Sequence, residues 1–139
     1  MKIHLATWFF LLAALSGCTR EVELRTPAGD TIGNANLELV GQNDGNAQLV
    51  IGEVPYRGRM TWHKVDESGR IAAKYGLNSR RYQAYSLGRA AYLRQGEARL
   101  VSDSGDELLC TFTYRGAVGH GNCTSAQHQF EFVAEEQAG

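Results

Sequence analysis

The chain has 139 residues, a length that suits one domain with one hydrophobic core. Its 14 lysine and arginine residues nearly balance 15 aspartate and glutamate residues, so that the formal net charge is −1 at pH 7. This balance excludes the strongly basic character that is typical of proteins that bind nucleic acid.

The first 17 residues have the layout of a secretory signal. Lys2 and the α-amino group supply positive charge, and the next part, Leu5–Leu15, runs for eleven residues without a charge. A helix needs about 20 apolar residues to span a bilayer, whereas the apolar core of a signal peptide has roughly 7 to 15. We therefore expect residues 1–17 to be removed. A buried apolar N-terminus is the alternative.

The end of this apolar run has a specific pattern. The residues Leu15-Ser16-Gly17-Cys18 resemble the lipobox of bacterial lipoproteins, which is cut by signal peptidase II. The resemblance implies that Cys18 is the first mature residue and that it carries fatty chains such as palmitate. Thr19 stands where lipoproteins retained in the inner membrane usually have Asp. The resemblance therefore implies an anchor in the outer membrane, on its periplasmic face. An ordinary secretory signal that happens to precede Cys18 is the alternative.

The other two cysteines, Cys110 and Cys123, form an even pair in what would be an oxidising compartment, where disulfides persist. A bond between them closes a ring of fourteen residues, which stabilises the fold by roughly 3 kcal/mol in the chain-entropy model. A reduced metal-binding pair is the alternative, but its cysteines would be expected two to four residues apart. We predict a disulfide.

Beyond the anchor, short stretches alternate between apolar and polar residues and are separated by Gly, Asn and Asp. This period of two predicts antiparallel strands with one apolar face. It places the following residues on apolar faces: Leu37, Leu39, Met60, Trp62, Leu108, Cys110, Phe112, Tyr114, Phe130 and Phe132. We expect an all-β or mainly β fold, a small antiparallel sandwich or partly open barrel over residues 24–134. A tether at 18–23 and a polar tail at 135–139 would flank it.

Two glycine patterns are interpreted as turns. The form G-[NE]-A-x-L occurs at 33–37, 45–49 and 96–100, and we expect each glycine to form a turn before its strand. The first two copies are predicted to begin neighbouring strands of a meander. The segment "GAVGHGN" at 116–122 is predicted to be the loop of a hairpin that the disulfide closes at its base.

The stretch from 68 to 96 is basic and rich in tyrosine, with no acid between Glu67 and Glu97. One short helix is predicted within 78–94, capped by Asn78 or Ser79, and a long excursion between strands is the alternative. Arginine and tyrosine are enriched at interfaces. The candidate binding surface therefore consists of Arg80, Arg81, Tyr82, Tyr85, Arg89 and Tyr92. A solvated flank, whose arginines balance acids elsewhere on the fold, is the other interpretation.

No catalytic pattern is present in the sequence. It has no G-x-S-x-G turn, no glycine-rich phosphate loop and no H-E-x-x-H. Asp103, Asp106 and Glu107 are interpreted as turn residues because they lack calcium-loop spacing. His63, His120 and His128 are interpreted as scattered surface residues. We expect no enzyme, no cofactor and no metal.

These observations together predict an outer-membrane-anchored periplasmic lipoprotein. We expect it to be a non-catalytic binding or accessory protein of the cell envelope, with a periplasmic protein as partner. Two alternatives stay open at this point. One is an inhibitor or immunity protein against an envelope-acting toxin or lytic enzyme. The other is a carrier of a small ligand or metal, which would use the inside of a barrel.

Overall fold

The computed structural model describes residues 18–136. The predicted signal peptide, residues 1–17, lies outside the described residues, as do residues 137–139 of the predicted polar tail. The lipidation site predicted at Cys18 is the first residue of the first strand. Neither helix in the described part of the chain has the length and apolar character needed to cross a membrane.

The described chain is mainly β, which confirms the predicted fold class. Its strands are β1 (Cys18–Arg25), β2 (Thr31–Leu39), β3 (Asp44–Ile51), β4 (Val54–Lys64), β5 (Leu93–Ser102), β6 (Glu107–Arg115), β7 (Val118–Thr124) and β8 (Gln129–Glu136). Each strand pairs antiparallel with the next, and β1 pairs with β8. The sheet is therefore a closed barrel, neither a sandwich nor a partly open barrel.

The prediction that 18–23 is a tether is wrong, because these residues form most of β1. Cys18 pairs with Leu39 of β2, and Val22 pairs with Glu136 of β8. The physical reason is that Val22 and Leu24 are buried in the core, with 8% and 4% of their surfaces exposed. A tether over residues 18–23 would leave the side chain of Val22 in water, although it shares the buried inner face with Leu24. The final strand likewise continues to Glu136, two residues beyond the predicted boundary at 134.

The apolar faces that the alternating pattern predicts are confirmed, since they line the inside of the barrel. The buried core contains Met60, Trp62, Leu108, Cys110 and Phe132, and the partly buried side chains that pack against it include Leu37, Leu39, Phe112, Tyr114 and Phe130. Burial of apolar surface of this kind is the main term that stabilises the fold.

The three repeated glycines are not turn residues, contrary to the prediction. Gly33, Gly45 and Gly96 lie within strands, and their φ angles are not positive. They line the inner face, where space is short. A Cβ atom on Gly96 would stand 2.3 Å from the carbonyl oxygen of Thr61 and 2.7 Å from the ring of Phe112. Position 96 therefore requires glycine, because the Thr61 backbone and the Phe112 ring come too close for any side chain. The predicted adjacency of the first two copies is confirmed, because β2 pairs with β3.

Glycines and aromatic residues alternate around part of the barrel. One row across β4 to β8 consists of Trp62, Gly96, Phe112, Gly121 and Phe132, each paired with the next. The interiors of small barrels often alternate small and large residues in this way, because the rings fill the space that the glycines leave.

The segment 116–122 is not a loop, contrary to the prediction. Only Gly116 and Ala117 form the turn, and β7 begins at Val118. Its glycines are accepted within a strand because they oppose aromatic residues across the inner face. The predicted disulfide is confirmed: Cys110 and Cys123 are bonded, oppose each other in β6 and β7, and are both buried.

Two helices, α1 (Ser68–Tyr75) and α2 (Arg80–Ser86), lie between β4 and β5. The second confirms the helix predicted within 78–94, and Ser79 is its cap, because its Oγ accepts a hydrogen bond from the Tyr82 N–H at 3.1 Å. The first was not predicted. α2 ends at Ser86, and Gly88, two residues further on, has a φ of +71° that does not continue a helix; Leu87 lies between them and is 65% exposed.

Candidate binding site

The two ends of the barrel differ in how they are covered. We call one end the floor: it carries the short turns after β1, β3, β5 and β7. We call the other end the mouth. It contains the start of β1, the end of β8 and the turns after β2 and β6. The segment that contains both helices, residues 65–92, also leaves the barrel at the mouth.

The floor is sealed by large buried side chains. Tyr56, Leu100 and Leu108 have exposures of 1%, 2% and 0%. The Tyr56 hydroxyl donates a hydrogen bond of 2.8 Å to Oδ2 of Asp106, in the turn after β5. Burial raises the pKa of the Tyr56 phenol, and this bond to Asp106 raises it further. The bond ties a turn residue to the core and closes this end.

Above the floor, a cavity of about 150 Å³ runs inside the barrel towards the mouth. Its wall is almost entirely apolar and includes Leu24, Leu49, Trp62 and Phe132. The lining continues to Ala117 and neighbouring residues of the turn after β6, which are exposed, so the cavity reaches the surface there. An eight-stranded barrel has an interior of about the size that side chains fill or that holds one small ligand.

Charged residues surround the outer part of this cavity. Arg20 and Glu136 line it, with Nε of Arg20 at 3.8 Å from Oε1 of Glu136. The guanidinium of Arg94 lies 5.8 Å from the ring centre of Tyr114, which also lines the cavity. Burial raises the pKa of Tyr114, while the positive charges of Arg94 and Arg20 oppose that rise. The mouth therefore combines an apolar wall with two arginines and one carboxylate.

A buried carboxylate joins the helical segment to the barrel. Glu67, 4% exposed, accepts hydrogen bonds from both Nη atoms of Arg115, at 2.7 and 3.0 Å, and a further bond from Arg70. Its backbone N–H donates to the Tyr85 hydroxyl at 2.9 Å. The bonds from Arg115, helped by Arg70 and opposed by burial, hold the pKa of Glu67 below its usual range. This pair fixes where the segment leaves the barrel.

Two of the predicted surface tyrosines have structural contacts within this segment. Tyr85 is 8% exposed, and its hydroxyl bonds to the backbone at Glu67 and Val65. Tyr92 is half-buried, meets the Tyr85 ring edge-on at 5.2 Å, and donates a hydrogen bond to its carbonyl oxygen. Lys64 lies over the Tyr92 ring. These contacts stabilise the helical segment, residues 65–92.

The other predicted surface residues lie on or next to α2. Arg80, Arg81 and Arg89 are exposed, and Tyr82 is half-buried. The structure adds three exposed hydrophobic residues that the predicted binding surface did not include, with exposures of 40%, 65% and 65%: Tyr75, Leu77 and Leu87. Alternation gives no signal for them, because Tyr75 ends α1, Leu77 and Leu87 lie just outside the two helices, and both helices are too short to have a complete apolar stripe.

The chain carries no built metal site within residues 18–136, since no three His, Cys, Asp or Glu side chains there are grouped to hold an ion. His63 is exposed on the outer face of the barrel. His120 is exposed near the turn after β6, where it and Thr113 are among the residues that line the cavity opening, and its Nε2 shares a hydrogen bond of 3.1 Å with Thr113. His128 is exposed in the turn before β8.

No protein-family model, no curated protein and no solved structure matches this chain.

Proposed function

We propose that this protein is a non-catalytic binding protein of the bacterial cell envelope that takes a small apolar group into the mouth of its barrel. The observation that carries the proposal is the apolar cavity of about 150 Å³, which opens at the mouth of a barrel whose floor is closed. Apolar cavities of about this volume are dry and accept a benzene-sized molecule. The group bound is therefore of about six carbon atoms.

The expected affinity follows from the area that such a group buries. Each methylene moved from water into an apolar site contributes about 0.8 kcal/mol, so six contribute roughly 5 kcal/mol before the cost of association. An apolar group alone should therefore bind in the millimolar range or not much tighter. Tighter binding requires polar contacts where the cavity meets solvent.

The position of Cys18 supports a membrane-side role for the mouth. Cys18 begins β1 at that end of the barrel, and its backbone pairs with Leu39, whose side chain lines the cavity. In the proposal, fatty chains on Cys18 anchor the protein to the periplasmic face of the outer membrane. Two or more chains hold a protein stably. Such an anchor would keep the mouth within a short distance of the lipid surface.

Trp62 is a built-in reporter for ligand binding, because it lines the cavity and is the only tryptophan in residues 18–136. We expect 6-bromohexan-1-ol to quench its fluorescence saturably in the wild type, through contact between bromine and the indole. Ala134→Leu adds three carbons to the cavity wall, about half the room of a six-carbon ligand. It should weaken binding at least tenfold.

Ala73→Leu is the matched control, since it makes the same change at an exposed position of α1. It should leave the titration unchanged. Quenching that is linear in bromide concentration, or equal in Ala134→Leu and the wild type, would contradict a ligand site inside the barrel.

A second candidate function, binding of a periplasmic protein, is favoured by a separate observation. Leu77 and Leu87 are each 65% exposed on the helical segment; Leu77 precedes α2, which begins with Arg80 and Arg81, and Leu87 follows its end. Exposed apolar side chains flanked by arginine are typical of protein interfaces. An accessory protein, or an inhibitor or immunity protein, would use such a surface.

A photo-crosslinking amino acid at Leu77 tests this second candidate in whole cells. We expect one adduct of defined mass, lost when Arg80→Glu and Arg81→Glu are combined with the crosslinker. The same probe at Val101, exposed on the barrel wall, is the control and should give no such adduct. An adduct that persists after both charge reversals would remove these arginines from the function.

A further inference from the structure

We infer that the ligand of the barrel is a single-chain anionic amphiphile, with its apolar chain in the cavity and its carboxylate or phosphate beside Arg20 and Arg94. The inference rests on the proposed function of the cavity and names the chemical class of its ligand. The charge placed around the cavity carries the argument.

The two arginines come from different strands, and both act electrostatically on Tyr114. Arg94 of β5 pairs directly with Tyr114 of β6, and its guanidinium lies 5.8 Å from the ring centre. Arg20 of β1 lines the cavity and also acts electrostatically on the Tyr114 phenol. Both positive charges therefore lie near Tyr114, at the end of the apolar wall. An anion there would be met by guanidinium groups suited to carboxylate or phosphate.

Glu136 is the acid that lines the cavity, and its pairing with Arg20 is loose. The distance of 3.8 Å exceeds that of a hydrogen bond, and the two side chains are 45% and 36% exposed. Exposed ion pairs of this kind contribute little. A ligand anion can therefore replace this carboxylate at Arg20 at low cost. Arg20 and Arg94 carry two positive charges against the single negative charge of Glu136, the acid that lines the cavity.

The cavity volume limits the chain length. A volume of about 150 Å³ accepts about six carbons, and each buried methylene should tighten binding about fourfold. We expect the affinity of linear carboxylates to rise with chain length up to about eight carbons. This number includes about six carbons inside the cavity and the remaining ones at its mouth. Longer chains should gain little per added carbon.

The experiment measures dissociation constants of octanoate, octyl phosphate and octan-1-ol from Trp62 fluorescence at low ionic strength. We expect at least one of the two anions to bind tenfold or more tightly than the alcohol of equal chain length. The anion that binds more tightly identifies the head group as carboxylate or phosphate, and either result supports the inference.

Charge variants locate the effect. Arg20→Gln and Arg94→Gln should each reduce the anion-over-alcohol preference several-fold, and together abolish it. Arg99→Gln removes the same charge from the exposed outer face of the strand that carries Arg94, and it should change nothing. Glu136→Gln should tighten binding of the anion and leave binding of the alcohol unchanged. Arg20 is exposed, so its variant does not disturb the core.

The outcomes separate the two proposals. Equal binding of alcohol and anions would overturn the inference and leave the proposed function in place. An anion preference that survives both arginine variants would also overturn it. Absence of binding by the alcohol and by both anions would overturn the inference and the proposed function together.

Discussion

Leu108→Ala should lower the free energy of unfolding by about 2–5 kcal/mol, the usual cost of removing a buried leucine side chain. Leu108 has no exposed surface and lies at the floor, beside Leu100, with which it pairs across β5 and β6. The cost includes a cavity term, because β-sheet backbone around the site is hydrogen-bonded and relaxes only in part. Urea unfolding followed by Trp62 fluorescence measures it.

Leu109→Ala is the matched control, since the next residue of the same strand points outward and is 44% exposed. It should change stability by no more than about 0.5 kcal/mol. If the two substitutions cost the same, the inward and outward faces of β6 are assigned wrongly, and with them the register of the barrel.

Arg115→Met should destabilise the protein by about 1–3 kcal/mol at pH 7, because it leaves the buried Glu67 carboxylate with Arg70 as its one charged partner among the described residues. It also removes the hydrogen bond from Arg115 to the carbonyl oxygen of Ala91. Glu67→Gln should cost less, since it leaves Arg115, whose side chain is 43% exposed and can be hydrated. Thermal unfolding compares the two variants.

The pH dependence of this pair has a defined sign. Hydrogen bonds from Arg115 hold the pKa of Glu67 below its usual value of 4.5, so the folded state favours the ionised form. The stability that this contributes is present above pH 4.5 and is lost as the pH falls through the lower folded pKa. The stability difference between wild type and Glu67→Gln should therefore be constant near neutral pH and shrink below pH 4.5. A difference that grows on acidification would contradict the pairing.

The sequence predicted the mainly β fold and the inward faces of its strands because alternation is a local property. Met60 and Trp62, or Phe130 and Phe132, differ from their neighbours in polarity, and any antiparallel fold with a core must turn them inward. The disulfide was predictable on other grounds, since Cys110 and Cys123 form an even pair once Cys18 is assigned to lipid and their spacing does not suit a metal site.

Closure of the barrel was not predictable in this way. It depends on pairing between β1 and β8, which lie at opposite ends of the described chain. The inner glycines were interpreted as turns because a glycine that is needed for close approach looks the same in sequence as one that is needed for a positive φ. Only the partner, such as Phe112 opposite Gly96, distinguishes them.

The candidate site was still less accessible from the sequence. A cavity is the volume left after all strands are placed, and no single residue signals it. The Glu67 pair joins residues 48 positions apart, so the burial of Glu67 and the structural contacts of Tyr85 could not be read from the basic segment alone. Composition marked the segment 68–96 as unusual, but tertiary contacts decided which of its side chains are exposed.

The most direct test of the ligand site in the barrel is a crystal structure of the protein, from residue 18 onward, soaked with 6-bromohexanoate and measured at the bromine absorption edge. Our account predicts an anomalous peak within the barrel, between Trp62 and Phe132, with the carboxylate towards Arg20. Bromine found only on the outer wall or on the helical segment, with the interior filled by repacked side chains, would contradict it.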